Sequence, residues 1–156
     1  MSSGSVRVIA GSQGVTAPLQ LGRWAELARQ ALVSEGVEGP AELNLTFVSE
    51  DRIAEMNTRF RGESGPTDVL AFPLDVDSDD EAFAGLDVPR MLGDVVICPS
   101  VAGQNASRHS GDLDDELALL TVHGVLHILG MDHADPAEAA VMKSRERQLL
   151  ARFHQS

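Results

Sequence analysis

Three histidines occupy the stretch His123-Gly-Val-Leu-His127-Ile-Leu-Gly-Met-Asp-His133. On an α-helix, residues four apart lie on one face, about one turn from each other. His123 and His127 can therefore aim their rings at one ion. Gly130 follows as a helix stop, because glycine enters the left-handed conformation at little cost. The chain then turns back and carries His133 toward the same point. Three neutral imidazoles leave a fourth coordination position open, which is the layout of a catalytic zinc site rather than a closed structural one. The other two histidines, His109 and His154, have no such spacing and read as surface residues.

The spacing resembles the metzincin protease motif, His-Glu-x-x-His-x-x-Gly-x-x-His. All three histidines and the glycine match. Gly124 stands where that motif has glutamate, the general base that activates water. A metalloprotease or amidase is therefore an alternative that lacks its base.

A chain of 156 residues with 43% hydrophobic and 23% charged residues suits one globular domain, here taken as residues 1–156. Aromatics make up only 4% and tyrosine is absent, so the core is aliphatic. The lone cysteine, Cys98, excludes an internal disulfide, and its place after Val95-Val96-Ile97 marks it as a buried small hydrophobe. The beginning Met1-Ser2-Ser3-Gly4-Ser5 lacks the basic and apolar segments of a secretory signal, and no apolar run is long enough to span a bilayer. A soluble cytoplasmic protein is the expectation. The net charge of −12 disfavours broad adhesion to nucleic acid. Much of it is local: Asp75, Asp77, Asp79, Asp80, Glu81 and Asp87 precede Arg90 without a basic residue between them, and read as a solvated acidic loop over about 75–90.

Periodicity gives the elements. Val6–Ala10 reads as a strand, and Leu19 to about Ser34 as an amphipathic helix with Leu21, Trp24, Ala25, Ala28, Ala31 and Leu32 inward. Glu42–Val48 alternates as a strand with one buried face. Ser49 caps a short helix ending near Phe60. A turn-rich loop from Arg61 to Asp68 leads to the strand Val69–Pro73. Leu92–Cys98 is a buried strand, and Pro99 opens a helix toward His109. Asp112 caps the histidine helix. Asp135, Pro136 and Glu138 start the last helix, whose inward face is Val141, Leu149, Leu150 and Phe153. The order predicts a small α/β (α+β) domain with one mixed sheet of about four strands.

Arg61 is the second chemical signal. A guanidinium on a loop near a metal suits a phosphate or carboxylate, to which it donates paired hydrogen bonds. Asp132 adjoins a ligand and can orient a histidine N–H. Asp68 and Asp94 are further candidates for that role or for a base, or they cap loops beside strands.

Four blocks in order are similar to the bacterial YbeY family: Asn57–Gly62, Pro66–Pro73, Leu92–Ile97 and His123–His133. The resemblance implies a small α/β domain with a groove leading to the metal. It implies a single-strand-specific, metal-dependent endoribonuclease acting in ribosomal RNA maturation, notably at the 3′ end of the small-subunit (16S) RNA, and in ribosome quality control. It also implies one zinc-like ion on His123, His127 and His133, a role for Arg61 in activity, and two partners: a small-subunit ribosomal protein and a ribosome-associated GTPase. No DNA or membrane partner is implied. Other divalent transition metals also suit three imidazoles. Glu63 stands where lysine is frequent in the family, and Met131 where tyrosine is frequent. Both changes, like the acidic stretch, weaken attraction for RNA and leave the ligands untouched. The nucleophile is either a metal-held hydroxide or the RNA's own 2′-hydroxyl. A third reading is a non-catalytic assembly factor whose ion is structural.

Overall fold

In a computed structural model, residues 5–74, 88–108 and 111–154 are described. Nine elements follow in order: β1 (Val6–Gln13), α1 (Leu21–Ser34), β2 (Ala41–Val48), α2 (Glu50–Arg61), β3 (Val69–Pro73), β4 (Arg90–Ile97), α3 (Pro99–Ala106), α4 (Leu113–Ile128) and α5 (Pro136–Phe153). The strands form one mixed sheet in the order β1-β2-β4-β3. β1 and β4 both run parallel to β2, whereas β3 is antiparallel to β4. The expected architecture is present.

The main core lies on the sheet face covered by α1, α4 and α5. Leu43, Leu45 and Phe47 from β2 and Val95 and Ile97 from β4 meet Trp24, Leu32, Leu126, Met142 and Leu149 there. Leu27 joins this core from α1. The opposite face is also buried in part. Val48, Leu70, Val96 and Cys98 pack with Ile53 of α2. β2 thus has more than the one buried face its alternation suggests, because α2 folds back across the sheet.

Several boundaries differ from the sequence reading. β1 extends to Gln13 rather than Ala10, since β2 offers it a partner at every position through Val48. Gly11, Ser12 and Gln13 resemble a turn locally, yet their backbone groups gain ladder partners. Ser49 caps α2 as expected, its side chain accepting from the Arg52 N–H. The helix runs through Arg61, so that guanidinium stands on the last helical turn and not on a loop. Cys98 is buried but lies just past β4, at the start of α3. On α5, Val141 is 60% exposed, and the inward stripe is Met142, Glu146 and Leu149. A glutamate in that stripe breaks the apolar period that sequence reading relies on. His154 is not a surface residue: its Nε2 lies 2.8 Å from Asp115 Oδ1, beside Trp24. The acidic residues from Asp75 to Asp87, and His109, lie outside the described residues. No helix among the described residues is long and apolar enough to cross a membrane.

Candidate metal centre

α4 is the scaffold of the site. Asp112 caps its first turn by accepting from the Asp115 N–H at 2.7 Å. The helix then runs through the core between β3, β4, α1, α3 and α5. It packs tightly on the sheet at Gly124. A Cβ placed there would stand 2.5 Å from Cγ1 of Val95. The position of the metzincin glutamate is therefore backed directly onto β4, which argues against the protease alternative.

His123 and His127 project from the same side of α4, with ring centroids 4.7 Å apart. After Ile128 the helix closes on a paired turn. The Gly130 N–H reaches the His127 carbonyl and the Met131 N–H reaches the Leu126 carbonyl, both at 3.0 Å. This is the Schellman pattern, and it requires the left-handed backbone that Gly130 adopts at φ +97°. The reversal brings His133 back, its ring 5.6 Å from His123 and 5.1 Å from His127. One ligand atom from each histidine lies within 4.8 Å of the other two. The Asp132 carboxylate accepts from the His133 backbone N–H at 2.7 Å, so it fixes the turn rather than a ring nitrogen.

The protonation chemistry suits a cation. Burial, and then the nearby His123 and His133, hold the His127 pKa below the ordinary imidazole value. Its neutral, ligating form is thereby favoured. Glu146 on α5 lies 2.6 Å from Nδ1 of His123. A carboxylate accepts, so Nδ1 carries the proton and Nε2 keeps its lone pair for an ion. Sequence reasoning missed Glu146. Its only signal was a glutamate four residues after Met142 on an otherwise inward stripe.

Arg61 and the triad line one cleft of about 390 Å³, together with Thr67, Asp68, Val69, Ala71 and Asp132. Gly62, at φ +70°, ends α2 behind it. Two side chains of α2 hold the following loop: Asn57 Nδ2 donates to the Gly65 carbonyl and Thr58 Oγ1 donates to the Glu63 carbonyl, each at 3.0 Å. Asp68 lines the cleft and accepts a long contact, 3.4 Å, from Asn105 Nδ2. Asp94 does not belong to the cleft. It lines a groove on the opposite face of the sheet with Thr46, Phe72 and Val96.

A family model described as Endoribonuclease YbeY matches residues 13–154. The chain belongs to the YbeY family. Among its relatives, the Endoribonuclease YbeY of Salinispora tropica is 49% identical over 130 residues, covering 80% of this chain and 82% of its own. That of Thermobifida fusca is 43% identical over 148 residues, covering 95% and 94%. The solution structure of TM1509 from Thermotoga maritima superposes with a TM-score of 0.57 at 27% identity, covering 94% of this chain and 91% of that one. The donor set of this YbeY chain fits a divalent transition metal: three convergent imidazoles, one held in its tautomer by a carboxylate, with an arginine lining the same cleft.

Proposed function

We propose that this chain is a metal-dependent, single-strand-specific endoribonuclease of ribosomal RNA maturation and quality control, built as a single hydrolase domain over residues 1–156. The observation that carries the reading is one cleft holding both the histidine triad and Arg61. Family membership supplies the reaction class.

His123, His127 and His133 would hold one zinc ion or a similar divalent metal, which supplies Lewis acidity toward a phosphate oxygen. Glu146 keeps the His123 ring oriented, and Asp132 holds the turn that presents His133. Arg61 binds non-bridging phosphate oxygens through paired N–H donors and stabilises charge gathering at phosphorus. Asp68, a carboxylate lining the cleft, accepts a proton from the attacking oxygen in this reading. Asp94, across the sheet, has no part in that step. Product ends identify the nucleophile: a 2′,3′-cyclic phosphate means attack by the RNA's own 2′-hydroxyl.

The expected workplace is the cytoplasm, at the 3′ end of the small-subunit RNA. A small-subunit ribosomal protein and a ribosome-associated GTPase are the expected partners. A net charge of −12 suits basic ribosomal proteins better than bare RNA. Ribosome association should then weaken as salt rises, and association indifferent to salt contradicts this part of the reading.

The decisive assay is cleavage of a labelled single-stranded RNA by metal-loaded protein, beside an Arg61→Ala, His127→Ala double mutant purified identically. Cleavage by the wild type alone is the expected result. Equal cleavage by both, or none by either, removes the ribonuclease reading and favours an assembly factor with a structural ion.

A further inference from the structure

The last three residues of α2 are Arg59, Phe60 and Arg61. Phe60 is 58% exposed. Its ring is nevertheless held in place. It meets Phe72 of β3 edge-to-face, with centroids 5.4 Å apart and planes at 66°. The Arg59 guanidinium lies 5.4 Å from the same ring. Arg23, Arg29, Arg52 and Arg145 each pair with a carboxylate. Among the described residues, Arg59 and Arg61 have no such partner.

A singly exposed phenylalanine is ordinary. This one is flanked by two guanidiniums that pair with no carboxylate among the described residues, in a chain of net charge −12. Phe60 and Phe72 line the groove on the sheet face opposite the metal cleft, while the next residue of α2, Arg61, lines the cleft itself, so the end of α2 joins the groove to the cleft. Cationic groups interleaved with a fixed aromatic face are what a single nucleic-acid strand recognises: phosphates meet the charges, and an unpaired base stacks on the ring.

We propose that Phe60 is a stacking platform for one base of a single-stranded RNA, with Arg59 and Arg61 engaging the flanking phosphates. The proposal rests on the ribonuclease reading and deepens it. Bases in a duplex have their faces covered by neighbours, so only an unpaired base can use the ring. The platform therefore gives strand preference a physical source in the groove that adjoins the cleft across the end of α2.

The test is the affinity of the full-length protein for a fluorescein-labelled single-stranded 2′-O-methyl oligoribonucleotide, read by anisotropy, with an abasic strand of equal length and charge as control. Phe60→Ala should bind the base-bearing strand roughly tenfold or more weakly. Phe60→Trp should restore the affinity, and its added indole should be quenched by the bound strand. The abasic strand should bind the wild type and Phe60→Ala alike. Unchanged affinity in Phe60→Ala overturns the platform. So does an equal loss on both strands, a Phe60→Trp variant as weak as the alanine, or wild-type protein that binds neither strand. If Phe60→Ala instead loses only retention on ribosomal subunits, the ring serves a protein contact and the proposal is overturned. Cleavage is scored separately on unmodified RNA. Phe60-dependent binding without cleavage removes the ribonuclease reading alone, and cleavage with no Phe60 dependence removes the platform alone.

Discussion

Glu146 of α5 accepts a hydrogen bond from Nδ1 of His123 on α4 at 2.6 Å, joining the two helices at the metal centre. The carboxylate is only 8% exposed. A buried carboxylate needs a strong donor, and the imidazole N–H is that donor. The same bond fixes which nitrogen is free. Glu146→Gln can still accept through its amide oxygen, but it loses the charge that makes the imidazole a better ligand. We expect zinc affinity to fall about 10- to 100-fold, measured by competition with a chelator. Unchanged affinity, with a melting temperature also unchanged, would reduce Glu146 to a spectator.

Gly124 tests the protease alternative from the side of packing. Glycine in a helix interior costs about 1 kcal/mol relative to alanine. On propensity alone, Gly124→Ala should stabilise α4. The 2.5 Å approach to Val95 Cγ1 reverses that sign, because the β-branched side chain opposite has no flexible end to move aside. We expect Gly124→Ala to lose about 1–3 kcal/mol in denaturant titration. Val95→Ala, destabilising alone, should recover part of that loss in the double mutant. Additive losses would show that the two residues do not meet. Gly124→Glu should lose more stability and gain no turnover of casein.

The triad was legible because its ligands sit on one helix and one turn. Local geometry carries His123, His127, Gly130 and His133 together within eleven residues of chain, so spacing alone predicts convergence. The order of elements was legible for a similar reason, since period and capping are local. Asp112, Ser49 and Asp135 each cap the helix expected of them. What escaped was tertiary. Glu146 reaches His123 across 23 residues, and nothing near it in sequence marks it as a partner. Asp94 looked equivalent to Asp68, but strand alternation sends it to the other face, opposite Val95. Arg61 looked like a loop residue because Gly62 and Gly65 follow it, yet Gly62 closes the helix only after Arg61.

Cys98 should be chemically silent in the native protein. It is fully buried, and desolvation raises its thiol pKa despite backbone hydrogen bonds from Val101 and Ser100 that act the other way. The thiolate is the reactive form. We expect no labelling by a disulfide reagent at mildly alkaline pH until denaturant unfolds the chain, and then one equivalent. Rapid native labelling would mean that the α2 side of the sheet opens readily.

The depressed pKa of His127 sets the sign of a pH effect in metal-stripped protein. Its folded-state value lies below the ordinary 6.5 because burial and the two neighbouring imidazoles disfavour its charge. Between that lowered value and 6.5, the unfolded chain binds the proton more readily than the folded one. This contribution to stability is therefore fully present above 6.5 and is lost as the pH falls through the window beneath it. His127→Asn cannot titrate there. The difference in unfolding midpoint between wild type and His127→Asn should shift against the wild type on acidification, and saturating zinc should suppress the shift near neutrality by holding the imidazoles unprotonated. A difference that is flat across the window would show that His127 titrates alike in the folded and unfolded chains.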